Sequence, residues 1–97
     1  MNYPHKITIQ RLVETAGRST YQNLSTDMPA FVQPLDIETT DQINETFAKS
    51  SYVYLAINVV IDQNDRVIYD GDSYNVKGVK KYKYGSLTHK KALIEEL

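Results

Sequence analysis

The sequence predicts a mainly β fold, a small β-barrel or sandwich with one short helix and a long polar loop. Two observations carry this prediction. Residues 65–79 contain two β-rich runs that flank Asp70 and Gly71, and Asp-Gly is a strong signal for a tight hairpin turn. Residues 52–61 place apolar side chains at every second position, which is typical of a strand in the core (Val53, Leu55, Ile57, Val59 and Ile61).

The first third of the chain has weaker patterns. Residues 5–14 alternate apolar and polar side chains and predict a first strand, which ends in a turn over residues 16–20. Residues 21–29 are polar and weakly patterned, so we expect a long loop there, with a short strand inside it at most. Residues 30–35 predict a short strand, and Pro34 confines that strand to a sheet edge or a strand end.

The remaining elements complete the order of strands. Residues 38–47 predict the short helix, because Thr39 or Thr40 can cap it and Ile43 and Phe47 lie four positions apart on one side. Gly78, in the second arm of the hairpin, predicts a bulge of the kind that closes barrels. Residues 87–97 favour a helix by propensity and a strand by their position after the hairpin, and we favour the strand.

Composition restricts the function. The 97 residues make a single domain over residues 1–97, and 41% hydrophobic and 24% charged content is ordinary for a soluble domain. The absence of cysteine excludes disulfides and thiolate metal sites. A net charge of -1 excludes strong non-specific attraction of the whole chain to DNA. No apolar run approaches the length that spans a membrane, so we expect no membrane association.

The residue types do not predict an active site. Asp62, Asp65, Asp70 and Asp72 offer carboxylates, but their spacing does not follow a calcium-binding loop, and aspartate is common in turns. No serine lies in a nucleophile elbow, and no glycine-rich phosphate loop appears. We therefore expect no catalysis, no cofactor and no metal.

The most distinctive surface feature is a basic run over residues 77–91, which contains no acidic residue. Alternation on the strand predicts that Lys81 and Lys83 share one face and Tyr82 and Tyr84 the other. We rank a solvated strand edge first, a ring contact with the chain's own acidic residues second and a nucleic-acid surface third. The candidate contact residues are Lys77, Lys80, Lys81, Tyr82, Lys83 and Tyr84, with Asp36, Glu38, Asp41 and Glu45 as the acidic counterpart.

Several short segments, taken in order, resemble a known family. They are the opening strand at residues 5–11, the run at residues 31–35, the hairpin segments at residues 65–71 and 74–79, and residues 87–89. Their order and spacing resemble the small head–tail joining proteins of tailed bacteriophages and prophages, called head-closure or stopper proteins. One departure is Asn64, which stands where that family often has glycine, although asparagine also tolerates the left-handed region.

The resemblance implies a β-barrel subunit of the virion, made in the host cytoplasm, that closes the portal channel after DNA packaging and offers a docking platform to the tail. Its partners would be a portal or adaptor protein, a tail-completion or tail-tube protein, and copies of itself in a sixfold or twelvefold ring, with non-specific contact to packaged DNA. A loop would reach into the channel, and the sequence does not choose between residues 17–29 and residues 39–51. The first choice offers Arg18, Tyr21, Asn23 and Met28. The alternative function is a small nucleic-acid-binding barrel that uses residues 77–84.

Overall fold

The computed structural model describes residues 3–35, 50–83, 85 and 88–97. Six antiparallel strands form a closed barrel in the order β1-β2-β3-β6-β5-β4. The closed order confirms the mainly β prediction and selects the barrel over the sandwich. The strands are β1 His5–Thr15, β2 Arg18–Pro34, β3 Ser50–Leu55, β4 Arg66–Tyr69, β5 Asp72–Tyr82 and β6 His89–Glu96.

The core is formed by side chains that alternate along the strands. Val53 and Leu55 of β3 are fully buried, as predicted for this run. The predicted strand over residues 52–61 was too long, because β3 ends at Leu55 and a turn follows. Val59 and Ile61 are nevertheless buried. Ile57, in the turn, is only half-buried, so four of the five predicted core residues are confirmed. The alternating pattern does not show where backbone pairing stops.

The hairpin prediction is confirmed. Tyr69 pairs with Asp72, and the two residues between them have positive φ angles, 52° at Asp70 and 82° at Gly71. Positive φ at both central residues defines a type I′ turn, which matches the twist of the flanking strands. The bulge prediction is confirmed as well, since the pairing of β5 with β6 shifts between Val76 and Gly78. Such a bulge bends the strand and helps to close the barrel.

The predicted polar loop was wrong. Residues 21–29 belong to β2, which runs for 17 residues and pairs with β1 along most of its length. Residues 21–29 show no strand pattern in the sequence because the side chains between residues 18 and 29 are exposed or half-buried. Apolar and polar residues alternate clearly only where a strand buries one of its faces. The turn before it is also tighter than expected, since only Ala16 and Gly17 lie between the paired residues Thr15 and Arg18.

The C-terminal segment is a strand, as we favoured. β6 lies between β3 and β5 and buries Lys90, Ala92 and Ile94 on alternate positions. Tertiary pairing on both sides therefore overrides the helix propensity of its residues. The predicted helix over residues 38–47 lies outside the described residues. In the described part of the chain, no helix is long and apolar enough to cross a membrane.

Candidate contact surfaces

The basic run forms an exposed surface along the end of β5. Lys77, Lys80, Lys81 and Lys83 are all exposed, and Tyr82 is half-buried. We call these residues the basic surface. Lys80 pairs with Lys91 and Tyr82 with His89 across the β5–β6 ladder, which brings these four side chains to the outside of the barrel. Lys81 pairs with the inward-pointing Lys90 and therefore lies on the opposite face of β5 from Tyr82, as the alternation predicted. Tyr84, also predicted to belong here, lies outside the described residues.

Lys90 does not join the basic surface. Its side chain points into the barrel and is 8% exposed, and its Nζ donates a hydrogen bond to the backbone oxygen of Val59. A buried ammonium group requires such an acceptor, because losing water without a partner is costly. Lys90 thus holds the connection between β3 and β4 against the barrel and is not available to a partner.

One aromatic ring from every strand takes part in a series of ring contacts that crosses the barrel strand by strand from β4 to β5. The sequence did not predict this feature, because the rings are far apart in the chain and only the strand register brings them together. The signal present in the sequence was the high tyrosine count, eight of 97 residues. In spatial order the rings are Tyr69, His5, Phe31, Tyr54, His89 and Tyr82, with centroids 5.0 to 5.9 Å apart.

Part of this series meets the basic surface. The Nζ of Lys91 lies 3.9 Å from the centre of the Tyr52 ring and 5.7 Å from that of Tyr54. Tyr82 stacks on His89 at 5.0 Å with an angle of 16° between the rings. Cations over ring faces and stacked rings are stable arrangements at a partly exposed surface. Together, the cation–ring contacts and the stacked rings make this side of the barrel a rigid, positively charged and aromatic surface.

The acidic counterpart predicted at Asp36, Glu38, Asp41 and Glu45 lies outside the described residues. The four aspartates assigned to turns are described. Asp70 is in the hairpin turn, and Asp72 opens β5. In the described part of the chain, no group of three or more histidine, cysteine or acidic residues could hold a metal ion.

Asp62 and Asp65 bind an arginine of β1. Asp65 is 4% exposed and accepts from Arg11 through Nε at 3.0 Å and Nη2 at 2.9 Å, and from the backbone N–H of Asp62 at 2.9 Å. Asp62 accepts from the same Nη2 at 3.1 Å. The hydrogen bond with Asp65 raises the pKa of Arg11, and partial desolvation opposes that rise. These contacts join β1 to the segment that precedes β4.

Beyond this junction, β1 and β2 continue as a two-stranded arm, which we define as residues 11–22. Its pairs run from Arg11 with Gln22 to Thr15 with Arg18. Nearly all of its side chains are exposed. Besides the contacts of Arg11, the guanidinium carbon of Arg66 lies 3.8 Å from the centre of the Tyr21 ring. Both contacts hold the arm to the barrel.

The residues predicted for a channel loop lie instead along β2. Arg18 is exposed next to the turn of the arm, and Tyr21 contacts Arg66. Asn23 accepts a hydrogen bond from the Nε2 of Gln10 at 2.9 Å. Met28 packs against the core and lines a cleft of about 430 Å³ with the exposed side chains of Leu24 and Val60. These residues therefore do not form one loop.

Comparison with known proteins gives one informative result. No protein-family model matches the chain, and no curated protein sequence matches it. Among solved structures, the fold is similar to that of the phage-like element PBSX protein xkdH from Bacillus subtilis, with a TM-score of 0.62 and 20% sequence identity. The match covers 95% of this chain and 92% of that one. The two proteins share the same fold over nearly their whole lengths.

Proposed function

We propose that this chain is a structural protein of a tailed-phage or prophage particle. In this proposal it belongs to the head–tail connector, closes the portal channel after DNA packaging and provides a platform for the tail. The observation that carries the proposal is the fold shared with a protein of a phage-like element over 95% of the chain. The order of the sequence segments that resemble head-closure proteins supports it independently.

The described side chains support a role based on shape and contact. Arg11, Asp62 and Asp65 bring opposite charges together, but they join strand β1 to a turn and do not converge on a cavity. The nitrogen Nδ1 of His5 accepts a hydrogen bond from the backbone N–H of Val32 at 3.0 Å. Among the described residues, the basic surface and the arm are exposed and can contact partners. A subunit between head and tail requires separate contact surfaces of this kind, for the portal or adaptor, for the tail and for its own copies.

The proposal is tested in the phage or prophage that encodes the chain. We expect the protein in purified particles, at a constant ratio to the portal protein, when those particles are analysed by quantitative mass spectrometry. Deleting its gene is expected to give heads that do not join tails and that lose their DNA. Restoring the gene from a plasmid is the control. Tailed and infectious particles assembled without the protein would refute the proposal.

A nucleic-acid-binding barrel is the second candidate, and one observation favours it. Lys77, Lys80, Lys81 and Lys83 are exposed. Lys80 pairs with Lys91, whose Nζ lies over the Tyr52 ring, and lysines that meet phosphates next to rings are typical of single-strand binding. This candidate predicts binding of an oligonucleotide that weakens steeply with salt. Lys81→Ala with Lys83→Ala should flatten the salt dependence, by roughly 0.7 in slope for each phosphate that is no longer neutralised. Lys6→Ala, on the exposed side of β1, is the matched control. Absence of binding at low salt would eliminate this candidate.

A further inference from the structure

The arm leaves both of its outer backbone edges unpaired within the described part of the chain. β4 pairs with β1 only at Thr8, Ile9 and Gln10, so residues 11–15 have β2 as their sole neighbour there. β3 pairs with β2 only from Phe31 to Pro34, so residues 18–22 have β1 as their sole neighbour. Each edge presents backbone N–H and C=O groups that can pair with another strand.

The arm contributes nothing to the core of its own barrel. The buried core includes Ile9 and then Ala30, with no member among the 20 residues between them. Leu12, near the middle of the first arm strand, is 51% exposed. A two-stranded hairpin without a covered apolar face is only marginally stable in water. A further strand paired to its edge would stabilise the arm, because sheets of three or more strands are stable where a two-stranded hairpin is marginal.

The edges also lack the usual protection against pairing. Exposed edge strands are commonly guarded by lysine, by proline or by bulges. Residues 12–22 contain neither lysine nor proline. The irregular pairings of β2 lie closer to the barrel, between the partners of Ile7, Ile9 and Gln10. Within the described residues, the arm is thus regular and open on both sides, and its charged side chains are those of Arg11, Glu14 and Arg18.

We propose that the arm pairs edge to edge with the arm of a second copy of this chain. Residues 18–22 of one copy form an antiparallel ladder with residues 11–15 of the next. The inference deepens the proposed function and rests on it, because it names the contact by which the copies of a connector ring join.

A second copy fits because the two open edges lie on opposite sides of the arm. When arms point the same way, the strand order β1-β2 repeats from copy to copy, and every new neighbour is antiparallel. Each contact is then the same, head to tail, which generates a ring when the rotation closes. Arms aligned at their tips bring Glu14 of one copy opposite Ser19 of the next, and both residues are exposed.

The dimensions of the chain determine where the arms lie in such a ring. Each copy adds two strands, which is about 10 Å at the usual spacing between strands. The smallest extent of the molecule is 21 Å, about twice this spacing. The distance between equivalent points in a ring grows in proportion to the radius. The barrels must therefore lie about twice as far from the axis as the arms, which places the arms on the inner wall.

The absence of cysteine in this chain allows a direct test. One batch of full-length protein carries Glu14→Cys, and a second batch of different tag size carries Ser19→Cys. The batches are mixed at high concentration and oxidised, and the same two variants are assembled together into particles. We expect a disulfide-linked heterodimer that exceeds the homodimers of either variant at least fivefold. The pairs at residues 14 and 21 and at residues 12 and 19 are mixed in the same way, to cover ladders shifted by two residues in either direction.

The control pair is Lys6→Cys with Lys77→Cys, on exposed positions of the barrel, and it should cross-link no more than random collision gives. Adding Thr20→Lys and Gln22→Lys guards the open edge of β2 and should abolish the heterodimer while the circular dichroism spectrum stays unchanged. If no arm pair cross-links in particles that contain the protein, the inference is wrong and the proposed function stands. Cross-linking of the arm to a different protein also overturns it. A chain that cross-links through its arm but is absent from particles refutes the connector role alone.

Discussion

Replacing Asp65 with alanine should destabilise the protein strongly, although the residue lies outside the apolar core. The carboxylate is 4% exposed and accepts three hydrogen bonds, two from Arg11 and one from the backbone N–H of Asp62. The paired guanidinium is partly solvated, with 36% of its side-chain surface exposed. Asp65→Ala therefore leaves a cation that water can reach and a backbone donor that has no acceptor.

The size of the effect follows from these contacts. A hydrogen bond to a charged group contributes about 1.5–3 kcal/mol, and breaking a fully buried ion pair costs about 3–5 kcal/mol. Because Arg11 can be rehydrated, we expect the free energy of unfolding to fall by about 2–4 kcal/mol, less than the sum of the three bonds. Asp65→Asn keeps one side-chain oxygen as an acceptor, so its free energy of unfolding should lie between those of the wild type and Asp65→Ala.

The measurement is urea unfolding followed by circular dichroism, since the chain has no tryptophan. The free energy of unfolding falls by about 1–2 kcal/mol per molar urea, so the urea concentration at the midpoint of unfolding should fall by roughly 2 M. Asp62→Ala is the matched control. It removes a 3.1 Å contact with the same Arg11, but the Asp62 side chain is 75% exposed, so its loss should cost about 0.5 kcal/mol or less. Equal effects of the two substitutions would show that burial does not set the strength of this junction.

Two further predictions concern the backbone and the response to pH. Asn64 has a φ of 75°, in the left-handed region that alanine disfavours. Asn64→Ala should therefore lower the free energy of unfolding by about 1–2 kcal/mol, while Asn64→Gly should leave it nearly unchanged. Equal urea midpoints for the two variants would contradict this prediction. Burial, with smaller contributions from Asp72 and Glu96, raises the pKa of Tyr74 above its usual 10.0. The neutral phenol is then favoured in the folded state, so the stability it gives is complete below pH 10 and is lost as the pH rises further. Tyr74→Phe should therefore lose less stability than the wild type between pH 9 and pH 11 in urea titrations, and identical losses would refute the assignment.

The barrel was predictable wherever a strand has a buried face. Val53 and Leu55 alternate with half-buried neighbours because the sheet buries one side more completely, and that alternation is visible in the sequence. Asp70 and Gly71 were equally visible, because few residue pairs adopt two consecutive positive φ angles. Asn64 follows the same principle, since it takes the left-handed conformation that glycine would supply.

The first half of β2 and the aromatic series were not predictable, for the complementary reason. Tyr21 and its neighbours bury no face within the chain, so their sequence has no strand pattern even though the backbone is paired. The partners of His5 and His89 depend on register across the closed barrel, which the sequence does not specify. Lys90 was assigned to the surface with the other lysines, and only the register of β6 shows that it points inward.

These two kinds of sequence correspond to two roles in the molecule. The segments around Val53 and the Asp70 turn, whose structure could be predicted from their sequence, form the barrel. Residues 21–29 did not predict their strand, and among them only Met28 packs against the core. A strand that buries few side chains within its own chain has no reason to show a buried face in the sequence. Residues 21 and 22, which belong to the arm, are expected to lack such a pattern if the arm pairs with another subunit.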